Sequence, residues 1–191
     1  MKCICKVCGY EMEGERPIDI CHICGVDESN FEAVKEVVSG NEDLIKTAIR
    51  QFSYGMFVLT SEADGIINGQ AANSVMQLTS SPRRIFVCMN KSNYTTGLVL
   101  KRRKVVVNIG GQDEYNLIAN FGFSSGRDRN KFERFKHELK DGLPYLPEYS
   151  LAGLFCQVEK ELDVGTHIVF VCTLKDGFVN EDKKGVLPMT Y

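Results

Sequence analysis

Cys5-Lys6-Val7-Cys8-Gly9-Tyr10 and Cys21-His22-Ile23-Cys24-Gly25 are two versions of one pattern, a pair of cysteines with two residues between them, followed by glycine. Sulfurs at that spacing grip one ion from a tight turn, and two such turns brought together close a tetrahedral four-sulfur site. Cys5, Cys8, Cys21 and Cys24 are therefore the expected metal ligands. Zinc and iron both accept this ligand set, so the spacing calls for a metal and leaves its identity open. Gly9 and Gly25 can take positive φ and turn backbone N–H groups toward the sulfurs, and such hydrogen bonds tune redox potential. Cys3 and His22 flank the pattern and are read as non-ligands, because four thiolates already complete the coordination sphere.

Working outward, a segment of roughly 35 residues buries too little apolar surface to fold without a metal staple. The chain has 191 residues, which leaves room for one ordinary domain with its own core. The expected division is 1–38 for the metal domain and 39–191 for the larger one. A formal net charge of -2 gives no case for nucleic acid as a partner. No stretch is long and apolar enough to span a bilayer, and cysteines from Cys3 onward leave no space for a signal peptide, so the cytoplasm is expected. Cys88, Cys156 and Cys172 sit in apolar, strand-like runs and are read as buried reduced thiols.

The pattern along the larger domain is mainly β. Polar residues 27–30 and 39–41 read as loop and linker, with Phe31, Val34 and Val37 packing a short helix between them. Asn41 is positioned to cap a helix carrying Leu44, Ile45, Ala48, Ile49 and Phe52. Strands are expected at 55–61, 66–73, 84–89, 105–109, 154–162 and 168–174, with turns at Asp64-Gly65 and Asp176-Gly177. Helices are expected at 94–103, 114–121 and 130–140. Antiparallel strands with few helices indicate a barrel or sandwich rather than a parallel sheet. No G-x-G-x-x-G follows the first strand, so a Rossmann nucleotide site is not supported.

Three segments of the larger domain carry candidate chemistry. Residues 68–82 mix amides and hydroxyls with little charge, a lining that suits the carbonyls and N–H of a heterocycle such as a flavin. Asn90-Lys91-Ser92-Asn93-Tyr94-Thr95-Thr96 leads from a strand into a helix, where free N–H groups and Lys91 suit a phosphate; Asn93 also suits a helix cap. Residues 123–132 gather flexible backbone, hydroxyls and the cations Arg127, Arg129 and Lys131 in one loop that suits a phosphate or carboxylate, or else is a solvated charged loop leading into a helix. His167, after Gly165-Thr166, opens a late strand.

The two cysteine knuckles resemble rubredoxin, whose metal is a single iron in four thiolates. The short interval between Cys8 and Cys21 is similar to the abbreviated rubredoxin modules of rubrerythrins, and the likeness covers about the first 35 residues. The segments 68–82, 90–96, 125–128 and 165–167 together resemble the flavin reductase-like family, which binds FMN in a split β-barrel with flanking helices, over roughly residues 45–190. That resemblance implies that Asn73, Ser74, Gln77, Leu78 and Thr79 lie along the flavin. It implies further that Asn90, Lys91, Ser92, Asn93 and Thr95 take the phosphate, with Ser125 and Gly126 among the cofactor contacts. Arg127 and His167 are then the catalytic candidates, facing the flavin or its reductant. Many relatives carry an acidic residue where this chain has Thr166. Members are usually homodimers with FMN near the subunit interface.

The fused arrangement is similar to rubredoxin and flavin reductase fusions of the high-molecular-weight-rubredoxin type. It implies electron flow from NADH or NADPH through FMN to the iron, and on to an acceptor protein of the flavodiiron oxygen or nitric oxide reductase type. A flavin accepts two electrons and releases them singly, which matches a one-electron iron centre. Two other readings stay open at this point: an FMN and iron carrier with no nicotinamide site, and a zinc-stapled flavin-binding module.

Overall fold

The structure, a computed structural model, describes residues 2–8, 10–14, 18–33, 40–186 and 188–189. The chain divides into two compact units, Met1–Gln51 and Phe52–Tyr191. The boundary expected at 38–39, and the expected helical positions Val34 and Val37, lie outside the described residues, as does Gly9.

In the first unit, β1 (Lys2–Cys5) is the middle of a three-stranded antiparallel sheet, flanked by β2 (Glu11–Glu13) and β3 (Phe31–Ala33). Phe31 is thus a strand residue and not part of a helix: its backbone pairs with Cys5 and its ring joins Cys3, Cys5 and Cys21 in a small buried cluster. Cys3 is fully buried there and stands outside the sulfur cluster, as expected of a non-ligand. Helix α1 spans Gly40–Ile49. Asn41 lies inside its first turn instead of capping it, because the helix already begins at Gly40.

The second unit is built on one antiparallel sheet. Its strands are β4 (Tyr54–Gly55), β5 (Phe57–Ala63), β6 (Ile66–Ala72), β7 (Val75–Ser80) and β8 (Arg83–Asn90), then α2 (Tyr94–Arg102), β9 (Lys104–Gly110) and α3 (Tyr115–Gly122). There follow β10 (Glu138–Lys140), β11 (Leu143–Tyr145), β12 (Ser150–Asp163), β13 (His167–Val179) and β14 (Pro188–Met189). Seven of them run in the order β6-β5-β9-β12-β13-β8-β7. One buried cluster contains Leu59 of β5, Val107 of β9, Phe170 of β13 and Val87 of β8, with Ala72 and Val75 packed against it. Residues from opposite ends of the strand order meet in that cluster only if the sheet curls on itself into a barrel.

Strand periodicity explains the two faces. In β8 the inward set Ile85, Val87 and Met89 alternates with more exposed neighbours, whereas β9 is buried on both faces. Val105 and Val107 fill the barrel, and Val106 packs outward on Leu143 and Phe155. Asn108 of β9 is fully buried, and its amide donates to the Val58 carbonyl at 2.9 Å while its oxygen accepts from the Leu146 N–H at 2.9 Å. That pair of bonds ties the barrel to a second apolar layer of Val58, Leu117, Phe121, Phe132 and Leu146.

Three expectations are corrected. Residues 130–140 form turns and then β10, not a helix: the Asn130 side chain accepts from the Phe132 N–H at 3.0 Å, and Phe132 and Phe135 dock on the second layer from irregular backbone. Asp176-Gly177 sits inside β13 beside a shift in its register with β12, so it marks a bulge and not a hairpin turn. Cys88 is half-buried where full burial was expected, because the inward positions of β8 are 85, 87 and 89. Asp64-Gly65 does form the hairpin turn, with φ of 54° and 76°.

Candidate functional site: a four-sulfur cluster and a polar cavity

Cys5 closes β1 and Cys21 follows the second loop, and each is followed by a turn that carries its partner cysteine back toward it. The Cys5 N–H donates to the Tyr10 carbonyl at 2.9 Å and the Cys21 N–H to the Val26 carbonyl at 2.7 Å, so both knuckles close by the same five-residue link. Gly25, with φ of 75°, completes the second turn as its sequence position suggests. The sulfurs of Cys5 and Cys24 stand 3.7 Å apart and those of Cys8 and Cys21 3.6 Å, all four lying within 4.8 Å of one another. A sulfur tetrahedron with metal bonds of about 2.3 Å has edges of about 3.8 Å. The donor set fits a four-thiolate metal centre.

Backbone N–H groups are aimed at these sulfurs in matching places: Val7 and Cys8 on Cys5, Ile23 and Cys24 on Cys21, Tyr10 on Cys8, Val26 on Cys24. Burial acts to raise the Cys21 thiol, but the N–H groups of Cys24 and Ile23 prevail and bring it down to about 7. At Cys24 the Val26 N–H is outweighed by burial and the three neighbouring thiols, which push it up to about 12. Four crowded sulfurs cannot all ionise without a cation among them. Cys5 and Cys21 are buried, and Cys8 and Cys24 lie toward solvent.

The second site is a cavity of about 420 Å³ in the barrel unit, lined by Asn68 and Gln70 of β6, Asn93, Tyr94 and Thr95 at the start of α2, residues 121–127, and Lys131. A neighbouring cavity of about 450 Å³ shares Asn68, Gly126, Arg127 and Lys131. The two are held by a short polar network. The Asn68 amide donates to the Thr95 hydroxyl at 3.2 Å, and Gly126 lies so close that an added Cβ would sit 2.2 Å from the Asn68 side-chain oxygen. The Arg127 guanidinium donates to the Ser92 carbonyl at 3.1 Å and stands 5.1 Å from the Tyr94 ring centre. The side-chain oxygen of Gln70 is buried with no partner among the described residues. An acceptor left bare in a cavity of neutral amides suits a ligand N–H or O–H, as a flavin and its sugar chain present. The residues fit such a group.

Of the residues expected at the cofactor, Asn93, Thr95, Ser125, Gly126 and Arg127 line the cavity. Asn90, Lys91 and Ser92 adjoin it in the same loop: Asn90 accepts from the Ser92 N–H at 2.9 Å, and the Lys91 N–H donates to the Thr166 carbonyl at 3.0 Å. His167 pairs with Asn90 across β13 and β8, and its Nδ1 is 2.8 Å from the Thr166 hydroxyl, so it shares that loop without lining the cavity. The Asn93 side chain makes no capping bond and is free to face the cavity. Asn73 and Ser74 lie between β6 and β7, and Gln77, Leu78 and Thr79 stand on exposed β7, apart from the cavity. Sequence reasoning held Gln70 only within the run 68–82 and Phe123 and Lys131 only within the run 123–132, with no role of their own, and missed Phe121. Lys131 was within reach as a cation of its loop, but its burial, at 4% exposure, was not, since lysine defaults to the surface.

Comparison with known proteins gives a family match for each part of the chain. Residues 49–191 match the flavin reductase like domain, and residues 4–32 match the rubredoxin-like domain of rubrerythrin. A high molecular weight rubredoxin from Moorella thermoacetica is 36% identical over 146 residues, which cover 75% of this chain and 62% of that protein, less than two thirds of its length. A ferric-chelate reductase (NAD(P)H) from Archaeoglobus fulgidus is 35% identical over 157 residues, 75% of this chain and 93% of that protein. Among solved structures, flavin reductase PheA2 superposes with a TM-score of 0.67 at 26% identity, covering 78% of this chain and 93% of its own. Barrel, cavity and sulfur cluster thus have one explanation: the chain belongs to the flavin reductase-like family and carries a rubredoxin-like domain ahead of its barrel.

Proposed function

We propose that this protein is a flavin-dependent NAD(P)H oxidoreductase that passes electrons from reduced nicotinamide through FMN to one iron in the sulfur cluster. The observation that carries the reading is the presence, in one chain, of a tetrahedral four-sulfur set and a cavity of neutral amides with an unpartnered acceptor. A bound flavin accepts a hydride's two electrons and releases them one at a time, which a single four-thiolate iron requires. The names of the relatives, a reductase using NAD(P)H and a rubredoxin, support the donor and the metal.

Within this reading the neutral amides of Asn68, Gln70 and Asn93 bind and orient the ring, and Asn90, Lys91, Ser92 and Thr95 contribute to the phosphate side. Arg127 closes the cavity rim. Its contact with Tyr94 and the Ser92 carbonyl holds the guanidinium where it meets an incoming nicotinamide, and His167 acts from the strand that pairs with Asn90. Asn73, Ser74, Gln77, Leu78 and Thr79 reach a flavin only through β7, whose exposed Met76 and Leu78 suit a second copy of the chain; the homodimer is part of the proposal. The final acceptor is proposed as a flavodiiron-type protein in the cytoplasm, and the functional division as near residue 38. Among the described residues no helix is long and apolar enough to cross a membrane.

The test is the visible spectrum of purified protein, with metal analysis, followed anaerobically as NADH is added. Iron-thiolate and flavin absorption that both bleach with NADH support the proposal. Zinc in place of iron, or two chromophores that NADH leaves unchanged, would sink it in favour of a zinc-stapled module or a carrier fed by another enzyme.

A further inference from the structure

Lys131 is the one lysine among the described residues that is buried, at 4% exposure, and it lies at the junction of the two cavities. Its ammonium donates to the carbonyls of Gly69 at 3.0 Å and Phe121 at 2.9 Å, which uses two of three N–H donors. No carboxylate pairs with it among the described residues, although the surface lysines 91, 101, 140 and 183 all have acidic partners. The charged residues of its own loop that line the cavities with it are Arg127, Asp128 and Arg129; α2 adds only Tyr94, and β6 and α3 line them with neutral side chains. Arg129 is turned away onto Ser124 and Asn120, at 2.9 Å to each side chain. A buried cation without a counter-ion costs stability unless a ligand supplies the charge.

We propose that Lys131, which keeps a third N–H beyond its two carbonyl bonds and lines the same cavity as Gln70, is the anchor for a nucleotide phosphate. The assignment deepens the flavin reductase reading and rests on it. It shifts the main phosphate contact from the Asn90–Thr95 loop to the buried lysine of the 123–132 loop. The shared chemistry is a phosphate ester, supplied either by FMN or by the pyrophosphate of the nicotinamide nucleotide. Independent support comes from acidity: burial, with the charge of Arg129 adding to it, lowers the lysine to about 8, as expected of an ammonium with no anion in place.

The test compares wild type, Lys131→Met and Lys131→Arg by titration with FMN and with riboflavin, which lacks the phosphate. A charge-assisted bond of the usual strength predicts that Lys131→Met weakens FMN binding about 10- to 100-fold, leaves riboflavin unchanged, and is largely rescued by arginine. If the phosphate is instead the nicotinamide's, KM for NADH rises by that factor while FMN binding holds. Equal weakening of FMN and riboflavin would mean a merely structural lysine, and no change in any of the three ligands would equally overturn the proposal. Wild type that binds neither flavin refutes the parent reading separately. In that case inorganic pyrophosphate is the probe, and a melting temperature raised by it in wild type and not in Lys131→Met keeps the anion site, whereas no shift removes it.

Discussion

The sulfur cluster and the barrel cavity are built by opposite strategies. The cluster draws its four ligands from two turns within Cys5–Cys24, each turn closed by its own backbone bond. The cavity draws its lining from β6, the start of α2 and the 121–131 segment, which meet only because the sheet has curled. A site made of local turns depends on its ion and little else, whereas a site made by topology inherits its geometry from a core that folds without a ligand. The difference teaches that damage to one should stay out of the other.

The sharpest way to break that comparison is to remove a ligand. Cys8→Ser or Cys24→Ser should abolish the metal-thiolate absorption entirely, because apparent binding energies of four-ligand sites are on the order of 10 kcal/mol and are also the folding energy of such a unit. Flavin binding should remain within about twofold of wild type. Both are read by metal analysis and a flavin titration on the same sample, and joint loss of both would contradict two independently folding units.

A smaller effect is expected at Gly126. A Cβ there would overlap the Asn68 side chain at 2.2 Å, so Gly126→Ala must displace Asn68 and break its bond to Thr95. Overpacking of this kind costs about 1–3 kcal/mol, and the loss should appear as weaker flavin binding with the metal spectrum untouched. Unchanged affinity would show that the Asn68 contact does not shape the cavity.

The same contrast explains what was legible in the sequence. Cysteine spacing, the Asp64-Gly65 turn and the alternation of β8 are local, and each was readable because its cause lies within a few residues. The helix expected at 130–140 failed because Phe132 and Phe135 have helical spacing but are held by the second apolar layer, a tertiary partner no local pattern reveals. Asp141-Gly142, with φ of 51° and 79°, was the available signal for the β10–β11 hairpin whose turn it forms. β7 was hidden for the opposite reason: its alternating Val75, Gln77 and Thr79 read as a polar lining, and only its pairing with β8 makes it an edge strand. Lys131 was readable as one cation of the 123–132 loop, but its burial was not, because burial of a lysine depends wholly on what the fold brings over it.

The smallest expected effect concerns pH, and it separates the cavity lysine from the surface carboxylates of the same barrel unit by sign. Lys131 has its acidity shifted so that the folded protein holds the proton only up to about pH 8, while the unfolded chain holds it to the ordinary lysine range near 10.5. Between those values the unfolded state binds the extra proton, so stability rises with pH across that window and is reduced below it, where the buried ammonium is charged. A ligand-free barrel should therefore gain a few degrees in melting temperature from about pH 8 to 10 relative to Lys131→Met measured alongside, since the variant lacks the titrating group. Saturating FMN should flatten the difference, because a bound phosphate restores the partner that favours the charged lysine. The carboxylates of Asp163 and Asp176 act in the other direction. Each is held below its usual range, first by the lysine that bonds it, so their contribution is present above the ordinary carboxylate range and is lost only as the solution becomes acid. A melting temperature that falls between pH 8 and 10 in wild type and variant alike would mean that the ammonium is already compensated within the fold, and the cavity would lose its claim to an unpaired cation.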